Sequence, residues 1–407
     1  MSPIDSLFGS DRFNMDLTIV EESAQELAAN EEGECLADWL QTHYPDYFSI
    51  NILYHNSRKI LSLRSKGYVG LFPLGNGGML RVVPKVSFHS VWQILSGVER
   101  SVRWQKGQGR VNSIESLSEH LVHTFIELVE KRIRKGLLWK YTEREDRANP
   151  LRGRIVFGGD LDPLVIRCRY DEGGINHIAN QLIGETIHVL SKRAWESARI
   201  EQRLLRLKQC FLPHVGIRPA DVMDQDRMRY GGRHADYEPI HRLCHLLKKA
   251  CSPTIRQGPE LFTPFVLHMP TIFENSVARW MKKSFASRWE VRHQWVVPLQ
   301  ATHRVAFKID LALCGRVTGA PVTIFDTKYK TDNQPASSDI QQIAAYAVEL
   351  GVRTAFLMYP HRILKPVKVC VGPVCVYAIG FDFGLKSWEE IGSPVKDFIE
   401  SKLIAYN

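Results

Sequence analysis

The spacing of hydrophobic and polar residues changes twice along the chain, and the changes mark off three regions. From about residue 14 to 105 short alternating runs dominate: Phe48-Ser49-Ile50-Asn51-Ile52-Leu53-Tyr54, Lys59 to Leu63, Tyr68 to Phe72 and Leu80 to Pro84, with the turn Gly75-Asn76-Gly77-Gly78 before the last. One helical stretch, rich in acids, is expected there from Val20 to Leu40. From about 114 to 258 the period is helical. Leu117, Leu121, Phe125, Leu128 and Val129 form one stripe, closed by Lys131, Arg132, Arg134 and Lys135 ahead of Gly136, as suits a helix C-terminus. A long helical pattern runs from Ile178 to Lys208 and another from Ile240 to Ala250, with Met228 to Tyr237 as a loop between them.

From about 262 onward strands are expected near 291–299, 303–313, 321–330, 353–359 and 366–379. Helices are expected from Pro270, over Ile340–Leu350 behind the capping residues Ser337-Ser338-Asp339, and over Ser393–Ile404 with Ser393 as cap and Pro394 first. The fold class that follows is a multidomain α+β chain. It has a β-rich domain over 1–110, a helical region over 111–260 and an α/β domain over 261–407.

Candidate chemistry concentrates in the third region. In Val322 to Tyr329 the β-branched and aromatic content predicts a strand, on which Asp326 and Lys328 share a face. In Val305 to Leu313, Asp310 sits opposite the apolar row Val305, Phe307, Ile309, Leu311 and Leu313. A hairpin across Cys314 to Pro321 brings Asp310 beside Asp326, and paired carboxylates suit a hard divalent cation such as Mg²⁺. Lys328 can then orient or deprotonate a water, or neutralise charge on a phosphate. Glu274, beside the stripe Phe273, Val277, Trp280 and Met281, is a candidate third ligand. Gln342 and Tyr346, one turn apart, can face the same cleft. Taken singly, each has an ordinary alternative: a solvated strand pair, a first-turn acid favoured by the helix dipole, a helix flank.

Composition agrees with a polyanion-binding chain. The 407 residues carry a formal charge of +9, with a sequence pI near 9.1. Lys140 to Arg154 adds Arg144, Arg147, Arg152 and Arg154 against three acids, a candidate patch for following phosphates. The eight cysteines show no Cys-x-x-Cys spacing and read as reduced thiols; Cys370 and Cys375 are the closest pair. No signal pattern and no membrane-length apolar run are found, so a soluble cytoplasmic chain is expected. The chain also lacks a Gly-x-x-x-x-Gly-Lys-Ser/Thr loop, so nucleotide hydrolysis would belong to another chain.

The order Glu274, Asp310, Asp326-Thr327-Lys328, then Gln342 and Tyr346, resembles the PD-(D/E)xK nuclease core, with Ile309 where the motif's name has proline. More closely, the chain resembles the McrC family, the nuclease subunit of McrBC-type restriction systems that cut DNA carrying modified cytosine. Tyr68-Val69-Gly70, Val83-Pro84-Lys85, Arg152-Gly153-Arg154, Tyr170-Asp171-Glu172, Asn180, Met269, Phe273 and Leu357-Met358-Tyr359-Pro360 extend that resemblance along nearly the whole chain.

The resemblance implies a Mg²⁺-dependent endonuclease, with Mn²⁺ as substitute, acting in antiphage defence on modified double-stranded DNA. It assigns catalysis to Asp310, Asp326 and Lys328 with Glu274 and Gln342 in support, and metal ligation to Asp310, Asp326, Glu274 and the Thr327 carbonyl. Lys330, Tyr346, Arg152 and Arg154 become DNA contacts. An AAA+ McrB-like GTPase or ATPase would recognise and translocate the DNA, dock on residues 1 to about 110, admit a projecting element to its pore and have its hydrolysis stimulated. Two rivals remain: a repair nuclease acting alone, and a basic adaptor that grips DNA without cutting it.

Overall fold

The computed structural model describes residues 16–55, 58–74, 78–97, 112–147, 153–156, 167–217, 230–251, 255–257, 260–262, 264–298, 306–332, 334–385 and 387–404. The turn residues Gly75, Asn76 and Gly77, together with Arg152, Met228, Arg229 and Val305, lie outside them. In chain order the elements begin with β1 (Asp16–Val20), β2 (Gln25–Ala28), α1 (Glu31–His43), β3 (Phe48–His55), β4 (Arg58–Ser65), β5 (Tyr68–Pro73), β6 (Met79–Val83), α2 (Phe88–Gly97) and α3 (Ile114–Arg134). They continue with β7 (Lys140–Arg147), β8 (Arg154–Val156), β9 (Arg167–Gly174), α4 (Ile178–Leu190), α5 (Ala198–Phe211), α6 (Tyr237–Ala250), β10 (Ile255–Gln257), β11 (Glu260–Phe262) and β12 (Phe265–His268). Last come α7 (Met269–Phe285), β13 (Trp289–Pro298), β14 (Ala306–Gly315), β15 (Pro321–Thr327), α8 (Ser337–Glu349), β16 (Thr354–Tyr359), β17 (Val367–Val371), β18 (Val374–Gly380) and α9 (Trp388–Ile404).

Two compact units result, one of residues 1–117 with 255–407 and one of residues 118–254. The regions read from the sequence as first and third domains therefore share a unit. The reason is a strand pairing: β12, from the third region, adds to β5 and completes the sheet β1-β6-β5-β12. Its Val266 packs among Ile19, Leu36, Leu40, Tyr44, Phe72, Leu80 and Val82 of the first region. The helix expected over Val20–Leu40 is shorter. Val20 ends a strand paired with β6, Glu22 turns the chain at φ +56°, and α1 begins only at Glu31, where the Asn30 side chain accepts the Gly33 N–H at 2.9 Å.

The larger sheet runs β13-β14-β15-β16-β18-β17. β13, β14 and β15 are antiparallel neighbours, whereas β15, β16 and β18 run parallel, so α8 serves as a crossover. Ile343, Ala344 and Ala347 of α8 pack with Ile324, Ala355, Leu357, Val376 and Ala378 on one face. On the other face the rings of Phe325, Phe356 and Tyr377 stack in a row that meets Phe398 of α9.

Three expectations change here. The strand read over 366–379 is a hairpin, turned at Gly372 with φ +56°. That turn sets Cys370 opposite Cys375, and the two form a disulfide rather than remaining thiols; the six other cysteines are free. α9 begins at Trp388 rather than at Ser393, because Ser387 caps it by accepting the Glu390 N–H at 3.2 Å, and Pro394 falls inside the helix.

The second unit is not wholly helical, since β7, β9 and β8 form a three-stranded ribbon. The pattern from Ile178 to Lys208 divides into α4 and α5. Fully buried Asn180 joins these parts: its amide donates to the carbonyls of Leu138 and Ile175, and Tyr237 Oη donates to its Oδ1 at 2.6 Å. Among the described residues no helix is long and apolar enough to cross a membrane.

Two outcomes follow. Gly392 of α9 lies so close to the Trp280 indole of α7 that a Cβ would collide with the ring; Gly392→Ala should lower stability by about 1–3 kcal/mol through overpacking, measured by denaturant titration. In the second unit, burial pushes the imidazoles of His120, His241 and His245 down to about 4. Unfolded imidazoles take up protons near pH ~6.5 and the folded ones only near 4, so stability is present above that window and lost as pH falls through it. Hydrogen exchange should show α3, α4 and α6 opening more readily at pH 5 than at pH 7.5, and equal protection at both would contradict this.

Candidate functional site

The apolar run Val322-Thr323-Ile324-Phe325 drives β15 into the sheet, and Asp326 and Thr327 come at its end. Regular pairing of β14 with β15 stops at Leu311 opposite Phe325, so Asp310 and Asp326 are the next residues beyond the ladder, as the hairpin reading expects. β16 flanks β15 on the other side, and its Met358 carbonyl accepts the Lys328 N–H at 2.8 Å. The segment carrying Lys328 is thus held to the sheet past the strand's end.

Thr327 fixes Asp310: its N–H and its hydroxyl donate to Asp310 Oδ2 at 2.8 and 2.9 Å. Lys328 lies among acceptors. Its Nζ is 2.8 Å from Asp326 Oδ2, an ion pair, and donates to Gln342 Oε1 at 3.1 Å. Gln342 in turn donates to Tyr346 Oη at 3.0 Å, and the Tyr346 ring rests against Phe307. The two helix residues read as cleft candidates are therefore coupled to the lysine.

Glu274 takes a different place. It accepts from Gln294 Nε2 and lies 3.0 Å from His293 Nε2, both on β13. Among the described residues no three His, Cys, Asp or Glu side chains are arranged to hold a metal ion by themselves. Glu274 is engaged by β13, while its charge is still felt at Asp310. What the residues do form is an excess of buried negative charge.

Burial pushes Asp326 up to about 6, and the neighbouring Asp310 charge adds to the shift. Asp310 is raised by burial and by Glu274, against the hydrogen bonds from Thr327. For Lys328, burial works against the charged form, yet Asp326, Asp339 and Asp310 outweigh it and the net shift is upward. Burial likewise opposes ionisation of Glu274, but the contacts with His293 and Gln294 bring it below the usual range. A buried carboxylate whose proton affinity is raised by a second carboxylate beside it fits a divalent cation, whose charge relieves the repulsion, and a hard ion such as Mg²⁺ can complete its shell with water.

Three participants escape sequence reading. Asp339 looks like a helix cap, but α8 begins at Ser337 and Asp339, 6% exposed, receives Lys330 Nζ at 2.7 Å and stands 3.8 Å from Lys328 Nζ. His293 and Gln294 look like ordinary strand residues. Gln294, opposite Asp310, adopts φ +53°, a conformation costly for a side chain with a Cβ. Around it the alternation of β14 breaks, for the α8-side cluster takes Phe307 and Ile309 from one parity and Ala312 and Cys314 from the other. Of the basic candidates, Lys330 is engaged with Asp339, and Arg154 is exposed on β8 in the second unit.

Comparison with known proteins gives a consistent picture. The family model of McrBC 5-methylcytosine restriction system components matches residues 63–360. A chain from the refined half-complex of a tetradecameric assembly of Thermococcus gammatolerans McrB AAA+ hexamers with bound McrC shares the fold; it is 12% identical, with 95% of this chain and 100% of that one covered and a TM-score of 0.56. A chain from a cryo-EM structure of the Thermococcus gammatolerans McrBC complex is 14% identical over 69% of this chain and 90% of its own, at a TM-score of 0.40. No curated protein matches.

Proposed function

Because the chain belongs to the family of McrBC 5-methylcytosine restriction system components, we propose that it is the system's nuclease subunit, a Mg²⁺-dependent endonuclease built on a PD-(D/E)xK core. The observation that carries this reading is the ion pair of Lys328 with buried Asp326, beside Asp310, at the end of a central strand. Asp310 and Asp326 would hold Mg²⁺, or Mn²⁺ in its place, with the Thr327 carbonyl and Glu274 as further donors. Bound there, the ion supplies Lewis-acid polarisation of the phosphoryl oxygen and lowers the pKa of a water nucleophile.

The chain's own residues do the rest. Thr327 holds the Asp310 carboxylate by one oxygen. Lys328, kept protonated by its acidic neighbours, offers a fixed positive charge to the phosphate or orients the attacking water, and Gln342, held by Tyr346, keeps it there. A formal charge of +9 favours approach to DNA, and Lys330, Tyr346 and Arg154 are the proposed DNA contacts.

The partner is an AAA+ McrB-like ring that selects and moves the DNA and whose nucleotide hydrolysis this chain stimulates. The relative of similar fold is described with McrB AAA+ hexamers, and this chain carries no nucleotide-binding loop of its own. Docking through residues 1 to about 110 is supported by β3, an edge strand that exposes Ile52, Leu53 and Tyr54.

The test uses the full chain, the AAA+ partner, Mg²⁺, nucleotide and DNA carrying 5-methylcytosine. Asp326→Asn should cut at least about 100-fold more slowly, while retaining DNA affinity and its salt dependence. Equal cutting by the variant would overturn the catalytic reading. Cutting by the wild type without partner or nucleotide would instead indicate a nuclease that acts alone.

A further inference from the structure

Lys85 follows β6 in the first region, far from the acid cluster in sequence. Its side chain is only 11% exposed, and its ammonium donates to the Tyr329 carbonyl at 2.5 Å across a sequence separation of 244. Two more contacts fix it: the Glu22 carboxylate pairs with it, and the Tyr329 ring centroid is 4.6 Å away. Tyr329 is the residue after Lys328.

The geometry makes this more than a surface ion pair. Past Thr327 the chain has left the strand, and its backbone is held by four contacts: Lys328 N–H to the Met358 carbonyl, Lys330 N–H to the Lys328 carbonyl at 2.9 Å, Lys85 on the Tyr329 carbonyl, and the His361 ring on the Lys330 carbonyl at 3.1 Å. The Tyr329 ring is buried against Phe273, the residue before Glu274. Glu22, which anchors Lys85, keeps a φ of +56°, a conformation a non-glycine residue holds only where its surroundings over-determine it. The same corner grips the start of α7, for Gly67 accepts the Met269 N–H at 3.0 Å, and a Cβ on Gly67 would press on Pro270 and the Glu22 carboxylate. One small cluster in the first region therefore sets both the exit from β15 and the entry to α7.

We propose that Lys85, anchored by Glu22, is a positioning residue for Lys328, and that the first-region sheet controls DNA cleavage by clamping the Tyr329 carbonyl. The inference rests on the nuclease reading above. Its cluster includes Val83-Pro84-Lys85, a stretch to which the proposed chemistry assigns no task.

The test compares wild type, Lys85→Met, Lys85→Arg and Asp326→Asn as full chains with the AAA+ partner, Mg²⁺, nucleotide and 5-methylcytosine DNA. Assayed well below its thermal midpoint, Lys85→Met should lower kcat by about 10-fold with an unchanged KM for DNA, since a small misplacement of a catalytic group is enough to slow chemistry. Lys85→Arg should restore most of the rate. Wild-type kcat in Lys85→Met beside an inactive Asp326→Asn would overturn the clamp and leave the nuclease reading standing, as would a loss of rate that only follows a lowered thermal midpoint. Hydrogen exchange at the Lys328 and Lys330 amides reads the clamp without activity. Faster exchange in Lys85→Met supports the clamp and unchanged exchange overturns it, whereas a fully active Asp326→Asn overturns the nuclease reading and with it the control of cleavage.

Discussion

A carboxylate buried at the end of a β-strand needs a counter-charge, and Asp326, 7% exposed beside a second carboxylate, states that need sharply. Leaving such a group unpaired costs several kcal/mol, so the chain supplies Lys328. Lys328 is itself largely enclosed and requires partners of its own, which are the Gln342 acceptor and, at ion-pair distance, Asp339. Asp339 is buried in turn and draws in Lys330. Each residue is placed by the demand of the one before it, and α8 is fixed against the sheet by polar contacts as well as by Ile343, Ala344 and Ala347. Negative charge still outweighs positive at the Asp310–Asp326 end. That imbalance is what the proposed cation would relieve.

The second constraint is the sheet that β12 completes. A strand placed after the second unit returns to pair with β5, and its last residue, His268, leads directly into α7. The direction in which α7 leaves, and with it the place of Glu274, is therefore set by a sheet most of whose strands come from the beginning of the chain. Such an arrangement tolerates an insertion, because the closure entropy of a loop grows only slowly with its length.

Much of this was legible in residue patterns wherever one period ruled. The alternation through Phe48 to Tyr54, the apolar stripe of α7 and the hairpin that brings Asp310 beside Asp326 all follow from it. Reading failed where a single backbone angle decided the outcome. Nothing in the letters Glu22 or Gln294 announces a positive φ, yet the first ends the helix expected from Val20 and the second breaks the alternation opposite Asp310. It also failed where a residue type has two uses. Asp339 and Ser393 both look like caps; one is the carboxylate that pairs with two lysines, and the other lies inside a helix already capped by Ser387. The link between Lys85 and Tyr329 could not be read at all, since no local pattern spans it.

That same link has a temporal meaning. The ammonium of Lys85 leaves the ribosome 244 residues before the carbonyl it binds, and the strands, the inserted unit and α7 must all be made in between. Contacts of such separation form late, because they reward the chain only after the intervening loop has closed. The clamp on the Tyr329 carbonyl can close only after both regions have been made, and a chain that ends before residue 329 carries Lys85 without that acceptor.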